Sequence, residues 1–355
     1  MNCEKTIAMI PKLVCGYIIP SFEEIFSLKN LFLAWQDFKK GKKNKKDVAE
    51  FSMKLVHNLT LLHQEIISGV YKHQGYIHFK INDPKPRDIH KASVRDRVVH
   101  HALYNALYPY FDAKFIFDSY SCRLNKGTHK ALNRFREFAK KESCNYTKTI
   151  WILKCDIRKC FASVDHCILK SILTKEIQCP RLLRVVSSVI DSFPISAMAE
   201  IGKVGIPLGN LTSQIFINIY LNELDLYMKH RIKAEKYIRY ADDFILFSKN
   251  KNDLLNIISV VDNFLKVKLH CDLHDKKLFV RSLYSGVDFL GWIHFPRYRV
   301  LRAKTKRRIL KNIVLVGGAQ IASYMGLLQY GNTFKIKKII EDKFSQNMLP
   351  YRHGN

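Results

Sequence analysis

The chain has 355 residues, with 59 Lys and Arg against 31 Asp and Glu, which gives a formal net charge of +28. This length allows one large domain or a few subdomains with a sizeable core, and it excludes a peptide-sized binder. The charge excess is too large for an ordinary cytosolic enzyme acting on a small neutral substrate, and it indicates a polyanionic partner such as nucleic acid. On charge alone, a membrane-surface protein or a lysine-rich solubility surface stays open.

The cysteines and the N-terminus indicate the compartment. Nine cysteines are scattered without any Cys-x-x-Cys pair, which predicts neither a disulfide framework nor a cysteine-based zinc site. Lys5, Pro11 and Lys12 interrupt the N-terminal apolar residues, and no apolar run approaches a membrane span. We therefore expect a soluble, cytoplasmic protein with no membrane partner.

The N-terminal region is predicted to be helical from Ser27 to about Tyr71, because apolar residues recur there at spacings of three and four. The shared face consists of Phe51, Leu55, Leu59, Leu62 and Ile66. Between two predicted helices lies KKGKKNKK, residues 39–46, which either grips a phosphate backbone or forms a solvated loop. The next segment, FKINDPKPRDIH (residues 79–90), indicates a strand, a turn and a second strand.

The central part of the chain alternates strand and helix signals. TIWILKCDI, residues 149–157, is rich in β-branched and aromatic residues and predicts a core strand ending near Asp156. GIPLGN at residues 205–210 predicts a turn that leads into a helix reaching about His230. YIRY and FILF then predict a tight β-hairpin with Asp242 and Asp243 at its tip.

The C-terminal part begins with an amphipathic helix carrying Leu254, Ile257, Val261 and Phe264 in register. DFLGWIHF, residues 288–295, is strand-like, and residues 297–311 combine a helical pattern with eight basic residues and no acidic one. We find no internal repeat and no low-complexity linker, so we expect closely packed subdomains.

Three aspartates form the strongest candidate site. Adjacent carboxylates in an apolar strand context repel each other and resist desolvation, so a divalent cation is a natural partner. Mg²⁺ prefers oxygen ligands, and two such ions support in-line phosphoryl transfer. Asp156 at a strand end and Asp242 with Asp243 at a hairpin tip meet this requirement. The alternative is that Asp242 and Asp243 are ordinary turn residues, a common use of aspartate.

Tyr-Ala-Asp-Asp, framed by IRY and FILF and preceded by DIRKCF, resembles the catalytic box of reverse transcriptases. The resemblance covers residues 27–336 in the expected order. It implies an α+β right-hand polymerase with an antiparallel palm sheet. The implied regions are fingers with N-terminal helices at 1–148, palm at 149–296 and a short basic thumb at 297–355. It also implies two Mg²⁺ ions, replaceable by Mn²⁺, at Asp156, the main chain of Ile157, Asp242 and Asp243.

Within the group II intron-like reverse transcriptases, four strings resemble those of diversity-generating retroelements: DPKPRDI with RDRVVHHALYNALYP, DSYSCRLNKGTHKAL, GIPLGNLTSQ and SYMGLLQYGNT. Most reverse transcriptases carry Gln-Gly where this chain has Leu208 and Gly209, and Ser-Pro where it has Ser213 and Gln214. The resemblance implies frequent misincorporation opposite template adenines, because an apolar Leu208 replaces an amide that steadies the nucleotide. The family usually has Ile at Leu208, and often Val or Met at Ala241.

The resemblance also implies roles for other residues. Arg87 and Arg123 would hold the triphosphate, for which a planar guanidinium is suited, and Arg95 and Arg97 would meet the template backbone. Lys277 is similar to the lysine that protonates pyrophosphate, with a plain surface lysine as the alternative. Phe161 matches the aromatic gate that selects deoxynucleotides, or else packs in the core. The primer grip corresponds to Phe289, Leu290 and Gly291.

The function implied is an RNA-directed DNA polymerase that copies a template-repeat RNA into cDNA from deoxynucleoside triphosphates, together with a small basic accessory protein. One alternative is a retron-like or antiphage-defence reverse transcriptase, and another is an RNA-binding module with a vestigial polymerase site. His100 and His101 are rejected as metal ligands, because adjacent residues do not share a helical face as residues i and i+4 do.

Overall fold

The structure is a computed structural model that describes residues 16–81, 86–193, 204–312 and 318–348. The chain divides into two compact units. Unit 1 comprises the described parts of Met1–Cys122, Ile157–Lys233 and Val261–His274. Unit 2 comprises those of Arg123–Asp156, Ala234–Val260 and Asp275–Asn355. The fingers, palm and thumb ranges given above stay predictions.

Helices and strands alternate irregularly along the described chain. The first half contains α1 (Phe22–Ile25), α2 (Leu28–Lys39), α3 (Lys46–Met53), α4 (Leu55–Ile67), β1 (Tyr76–Ile81), β2 (Arg87–Ala92), α5 (Val94–Asp112), α6 (Thr128–Glu142), β3 (Trp151–Asp156), α7 (His166–Thr174) and α8 (Pro180–Asp191). The second half contains α9 (Leu211–Leu226), β4 (Tyr237–Tyr240), β5 (Asp243–Ser248), α10 (Lys251–Leu269), β6 (Phe279–Ser282), β7 (Val287–Phe289), β8 (Trp292–His294), β9 (Arg299–Leu301), α11 (Ala303–Asn312), α12 (Gly318–Leu328) and α13 (Phe334–Met348).

The core of unit 1 is built around α5 and α9, which pack against each other. Both helices bury most of their residues, polar ones included, as helices enclosed by other elements do. Val98 and Leu103 on α5, and Leu221 and Leu224 on α9, are fully buried. The antiparallel pair β1–β2 precedes α5, with Tyr76 opposite Ala92 and Ile81 opposite Arg87. This arrangement places β2 directly before a rigid helix.

The predicted N-terminal helical region is present, but the helix is interrupted at Lys54. Its φ of −117° and ψ of 35° lie outside the helical range, so α3 and α4 are separate helices. Leu59, Leu62 and Ile66 of the predicted apolar face are buried. The lysine-rich segment 39–46 joins α2 to α3 as a largely exposed turn. Exposure is consistent both with binding a phosphate backbone and with a solvated loop, so both interpretations stay open.

Unit 2 contains a four-stranded antiparallel sheet with strand order β4-β5-β3-β6. Every described strand of this sheet was predicted from β-branched and aromatic residues except β6. Helix α6 packs on β4 and β5, and Phe135 of α6 contacts the Phe247 ring with centroids 5.0 Å apart. Helix α6 therefore covers one face of the sheet, and most residues of β3 and β5 are buried whichever face they point to.

A three-stranded antiparallel sheet, β7-β8-β9, also lies in unit 2. DFLGWIHF is strand-like, as predicted, and it folds as a hairpin, because Leu290 (φ 49°) and Gly291 (φ 86°) form a two-residue turn between β7 and β8. The basic segment 297–311 is not helical throughout, because β9 occupies Arg299–Leu301 before α11 begins.

The predicted α+β class with an antiparallel sheet beneath the aspartates is confirmed. No helix in the described part of the chain is both long enough and apolar enough to cross a membrane.

Candidate active site

The three aspartates lie together at one end of the four-stranded sheet. Asp156 is the last residue of β3 and stands directly opposite Asp243, the first residue of β5. Tyr240 pairs with Asp243 across the β4–β5 hairpin, so Ala241 and Asp242 form its two-residue loop. Residues opposite each other on antiparallel strands have neighbouring side chains. The sheet register therefore brings the three carboxylates into one small region of unit 2.

The hairpin loop is held by a buried arginine that the sequence reasoning missed. Ala241 has a φ of 54°, a left-handed conformation that is unfavourable for a residue with a Cβ. Arg239 is fully buried, and its Nη1 donates a hydrogen bond to the Ala241 carbonyl oxygen at 3.3 Å. The sequence does hint at this role, because Arg239 is the one charged residue of the strand YIRY, and a buried arginine normally has a partner.

Two lysines face the carboxylates. The Nζ of Lys277 lies 2.6 Å from Asp156 Oδ1, and the Nζ of Lys154 lies 3.5 Å from Asp243 Oδ1. Lys154 is buried and was also missed. Its position in the sequence could have indicated this contact. Lys154 lies two residues before Asp156 on the same strand, so both side chains point to the same face of the sheet.

Both interpretations of Lys277, the proton donor and the surface lysine, stay predictions. Its side chain is 43% exposed, as for a surface lysine, yet its ammonium group is bound to a candidate catalytic carboxylate. It belongs to a short 3₁₀ helix, Asp275–Lys277, that contacts β3.

Burial dominates the electrostatics of Asp243. Burial raises the pKa of Asp243 to about 6, Lys154 opposes the shift, and Asp242 and Asp156 add to it. In addition, Asp243 Oδ1 is buried and has no hydrogen-bond partner in the described residues. A buried carboxylate oxygen without a hydrogen-bond donor is unfavourable. A further cation near Asp243 would therefore stabilise its ionised carboxylate.

The donor chemistry fits a divalent cation. In the described residues no group of three or more His, Cys, Asp or Glu side chains is placed so that it could hold a metal ion, and lysine ammonium groups lie against Asp156 and Asp243. Carboxylate oxygens are nevertheless the donors that hard cations such as Mg²⁺ prefer. The partly buried Asp243 and the buried Asp156 supply such oxygens.

In unit 1, the turn carrying Leu208 and Gly209 is attached to β2. The His90 backbone N–H donates to the Leu208 carbonyl oxygen at 3.0 Å. Asn210, which is 2% exposed, donates from Nδ2 to the His90 carbonyl oxygen at 3.0 Å and accepts from the Ala92 N–H at 3.4 Å. The Asn210 amide thus continues the ladder that the backbone begins, and it was missed in the sequence reasoning.

Gly209 is required by both conformation and space. Its φ is 110°, and a Cβ at this position would lie 2.9 Å from Cγ2 of Ile89. Only glycine adopts such a φ readily and lets the turn approach β2 this closely. The Gln-Gly to Leu-Gly difference noted in the sequence therefore falls on a turn with a fixed backbone.

Phe161 and Ile157 also lie in unit 1. Phe161 is half-buried in a 3₁₀ helix at Cys160–Ala162, and its carbonyl oxygen accepts from the Ile206 N–H at 2.8 Å. This bond joins the Phe161 loop to the segment leading to Leu208. Ile157 is fully buried and forms an isolated antiparallel bridge with Leu273.

The arginines fall into two groups. Arg87 is exposed at the start of β2, and Arg123 lies in the loop before α6, where its carbonyl oxygen accepts from the Lys126 N–H. Arg97 binds Asp47 at 2.5 Å, and Arg95 binds Glu65 and Asp96. Because the guanidinium groups of Arg95 and Arg97 already bind carboxylates, these contacts do not support a role on the template backbone.

The predicted primer-grip residues form the tip of the β7–β8 hairpin in unit 2. Phe289 is fully buried and stacks on Phe135 with centroids 5.8 Å apart. The Gly291 carbonyl oxygen accepts from the Arg302 N–H at 3.0 Å. Of the predicted site residues, unit 2 thus brings together the three aspartates and Lys277, and unit 1 connects Phe161, Leu208 and Gly209 to the strand that begins at Arg87.

His100, which was rejected as a metal ligand, is packed inside unit 1. It is 1% exposed, its Nδ1 lies 2.5 Å from Thr212 Oγ1, and its Nε2 lies 3.1 Å from His73 Nε2.

Comparison with known proteins identifies the class. The family described as reverse transcriptase (RNA-dependent DNA polymerase) matches residues 80–294, which include the three aspartates. The chain belongs to this family. Its α+β architecture with an antiparallel sheet under the aspartates is that of a right-hand polymerase.

Several relatives are bacterial or intron-encoded. Protein YkfC of Escherichia coli is 24% identical over 292 residues, covering 71% of this chain and 74% of YkfC. The group II intron-encoded protein LtrA of Lactococcus lactis is 23% identical over 306 residues, covering 66% of this chain and 49% of LtrA. The putative COX1/OXI3 intron 2 protein of Saccharomyces cerevisiae is 21% identical, and the chain spans 34% of its length.

Among solved structures, apo telomerase from Candida tropicalis, truncated from its C-terminal domain, aligns with a TM-score of 0.46 and 13% identity. The alignment covers 70% of this chain and 60% of the telomerase chain.

Proposed function

We propose that the chain is the RNA-directed DNA polymerase of a diversity-generating retroelement, which copies a template-repeat RNA into cDNA with frequent errors at template adenines. One observation carries the polymerase part of this proposal. In a chain of the reverse transcriptase family, the sheet register places Asp156 opposite Asp243 with Asp242 in the adjoining loop. Carboxylates grouped in this way suit phosphoryl transfer better than an ordinary turn.

Asp156, Asp242, Asp243 and the main chain of Ile157 would hold two Mg²⁺ ions, with Mn²⁺ as a substitute. When bound, these ions activate the attacking 3′-hydroxyl and neutralise charge on the leaving pyrophosphate. The raised pKa of Asp243 and the lack of a hydrogen bond to its Oδ1 in the described residues support this assignment, because a divalent cation would offset the cost of burying that carboxylate.

The two lysines have separate roles in this proposal. Lys154 is buried and neutralises Asp243, which limits repulsion among the three carboxylates. Lys277 is partly exposed and bound to Asp156, so it can reorient and deliver a proton to pyrophosphate. Arg87 and Arg123 bind the triphosphate, and Phe161 selects deoxynucleotides by excluding a 2′-hydroxyl. The hairpin tip at residues 289–291 serves as the primer grip.

Leu208 supports the error-prone part of the proposal. Its carbonyl oxygen is bound by His90 and its neighbour Asn210 is anchored to β2, so the backbone position of Leu208 is well defined. A leucine side chain offers no hydrogen bond to a nucleotide. Discrimination between bases depends on contacts that differ between correct and incorrect pairs, and losing one of them lowers it.

The proposed partners follow from charge and family. A net charge of +28 suits a template RNA and its cDNA product. A small basic accessory protein completes the proposed retroelement machinery, and the N-terminal helices and the basic segment 297–311 are its candidate docking surfaces.

The test is to copy a defined RNA with the purified full chain and to sequence the cDNA. We expect cDNA whose errors concentrate at template adenines. Leu208→Gln restores an amide and should lower the adenine error rate by about tenfold, the factor expected for one discriminating hydrogen bond. Leu255→Gln, at an exposed leucine of α10, is the matched control and should leave the error rate unchanged.

Each other outcome has a defined meaning. Faithful cDNA would overturn the diversity-generating role and leave a retron-like or defence-type polymerase. RNA binding without any cDNA would overturn the polymerase assignment and favour an RNA-binding module with a vestigial site.

A further inference from the structure

Unit 2 contains a cavity of about 190 Å³ that has no part in the proposed polymerase mechanism. Its walls come from α6, from the loop before β3, from the β8–β9 hairpin and from the loop after α12. The residues that matter for its chemistry are Arg136, Tyr146, His294, Arg297, Arg299 and Tyr330.

Three of the lining residues each carry a buried polar atom that has no hydrogen-bond partner in the described residues: His294 Nε2, the Tyr146 hydroxyl and Arg299 Nη1. His294 is only 3% exposed. Buried polar atoms in proteins nearly always have a partner, either protein or an ordered guest. Three unpaired atoms around one cavity therefore indicate a polar guest that accepts hydrogen bonds from at least two of them.

The charged residues around the cavity indicate that the bound group is an anion. Arg136 and Arg297 are exposed and Arg299 is half-buried, and none of the described residues lining the cavity is acidic. Burial, and then the positive charge of Arg136, lowers the pKa of Arg299. Burial, and then Arg299, lowers the pKa of His294 to about 3. Burial is the larger cause of both shifts, and the like charge of a neighbouring arginine adds to each, so an anion in the cavity would offset part of that cost.

The volume limits the size of the guest. Sites for drug-sized ligands begin at about 300 Å³, so this cavity is too small for a whole nucleotide. It is several times the roughly 30 Å³ that one water occupies. A tetrahedral group with several acceptor oxygens fits both limits, and the planar fork of arginine suits phosphate oxygens.

We propose that this cavity is a binding site for a single phosphate group, held by Arg299 Nη1 and the Tyr146 hydroxyl inside and by Arg136 and Arg297 at the mouth. His294 lies against the bound group and gains affinity for a proton from its negative charge. The phosphate belongs either to a free phosphate ion or to a nucleic-acid backbone, and the site stands whether or not the proposed polymerase function holds.

The experiment uses the full chain labelled with ¹⁵N-histidine and follows the His294 ring signal, assigned by its loss in His294→Gln. Inorganic phosphate is titrated at constant ionic strength. We expect a saturable shift of the His294 signal. Tyr146→Phe and Arg136→Gln should each raise the half-saturating concentration by about tenfold, the factor expected for one charge-assisted hydrogen bond. Arg134→Gln, two residues away on α6 and outside the lining, should change it less than about twofold.

A second arm separates the two sources of phosphate. If the site takes backbone phosphate, a short single-stranded RNA displaces inorganic phosphate, and Tyr146→Phe weakens RNA binding. If it takes free phosphate only, RNA leaves the phosphate-induced shift of His294 intact.

Two results would overturn the proposal: a His294 signal that does not saturate with phosphate, or a saturable shift that neither Tyr146→Phe nor Arg136→Gln weakens. Either would mean that the cavity holds water. Thermal unfolding of each variant guards against misfolding, and Tyr146→Phe keeps the ring that fills the wall.

Discussion

Gly209 and Asn210 show how single residues define the candidate nucleotide site of unit 1. Asn210 uses its side chain to continue the hydrogen bonds of β2, and Gly209 allows the turn to lie against Ile89. Neither residue has chemistry of its own in the proposed reaction. Both act by holding the backbone of Leu208 in one position.

We therefore expect Gly209→Ala to impair nucleotide use. A Cβ would contact Ile89 and the φ of 110° would be strained, at a cost of about 1–3 kcal/mol. The turn should move away from β2 and raise the KM for deoxynucleotides by about tenfold or more, because small displacements of positioning groups are costly. Gly75→Ala is the control, because no atom lies within 4 Å of a Cβ there. An unchanged KM in Gly209→Ala would show that the turn does not position nucleotides.

At this scale the sequence predicted the acidic residues but not their supports. Asp156, Asp242 and Asp243 stand at ends of strong strand patterns, so their meeting followed from alternation and turn length. Lys154, Arg239 and Asn210 were missed because their partners are set by register and packing. The contact of Lys154 with Asp243, for example, depends on pairing between strands about 90 residues apart in the chain.

The β7–β8 hairpin illustrates what packing adds to an element. Trp292 is fully buried and Arg299 lies over its ring. Gly331, in the loop after α12, contacts the same ring so closely that a Cβ would overlap it. The glycine in SYMGLLQYGNT is therefore explained by the tryptophan of DFLGWIHF.

Gly331→Ala should destabilise unit 2, because overpacking against a buried ring typically costs about 1–3 kcal/mol. Gly326→Ala, on the same stretch of chain, has no atom within 4 Å of its Cβ and lies inside α12, where alanine favours the helix. Thermal unfolding should show a lower Tm for Gly331→Ala and an equal or higher Tm for Gly326→Ala. The reverse order would contradict this packing.

Element types followed largely from the sequence, and the exceptions have local causes. The strands β3, β4 and β5 carry β-branched and aromatic runs of ordinary length, so they were predicted. The β7–β8 turn was missed because Leu290 adopts a positive φ without any Asn or Asp to signal it. The break at Lys54 was missed because an apolar repeat runs through it.

Across the whole molecule, buried histidines couple stability to pH. Burial lowers the pKa of His101 to about 4 and that of His294 to about 3, and it also lowers the pKa of His100. Lys42, Asp37 and Arg97 face His101, and Arg299 faces His294. Because these folded-state pKa values lie below the unfolded value of about 6.5, the unfolded chain binds more protons as pH falls below that value. Stability is then lost progressively.

We expect the Tm to fall between about pH 7.5 and about pH 5, a window set by the unfolded histidine pKa. Asp243 opposes this trend in part, because its raised pKa of about 6 makes the folded state bind a proton there. His101→Gln should reduce the fall in Tm. An equal Tm at both pH values in the wild-type chain would contradict the histidine argument.

The central claim is that Asp156, Asp242 and Asp243 carry out metal-dependent DNA synthesis. The most direct measurement is primer extension on a defined RNA template by the wild-type chain, Asp156→Asn, Asp242→Asn and Asp243→Asn. Asp253→Asn, at an exposed aspartate of α10, is the control.

We predict extension by the wild type and Asp253→Asn only when Mg²⁺ or Mn²⁺ is present. Each of the other three variants should lose at least about a hundredfold in rate, because even residues that merely orient metal ligands contribute 10–100-fold. Their RNA affinity should be retained, because none of the three carboxylates attracts the RNA phosphates. Extension at the wild-type rate by Asp243→Asn or Asp156→Asn would contradict the assignment.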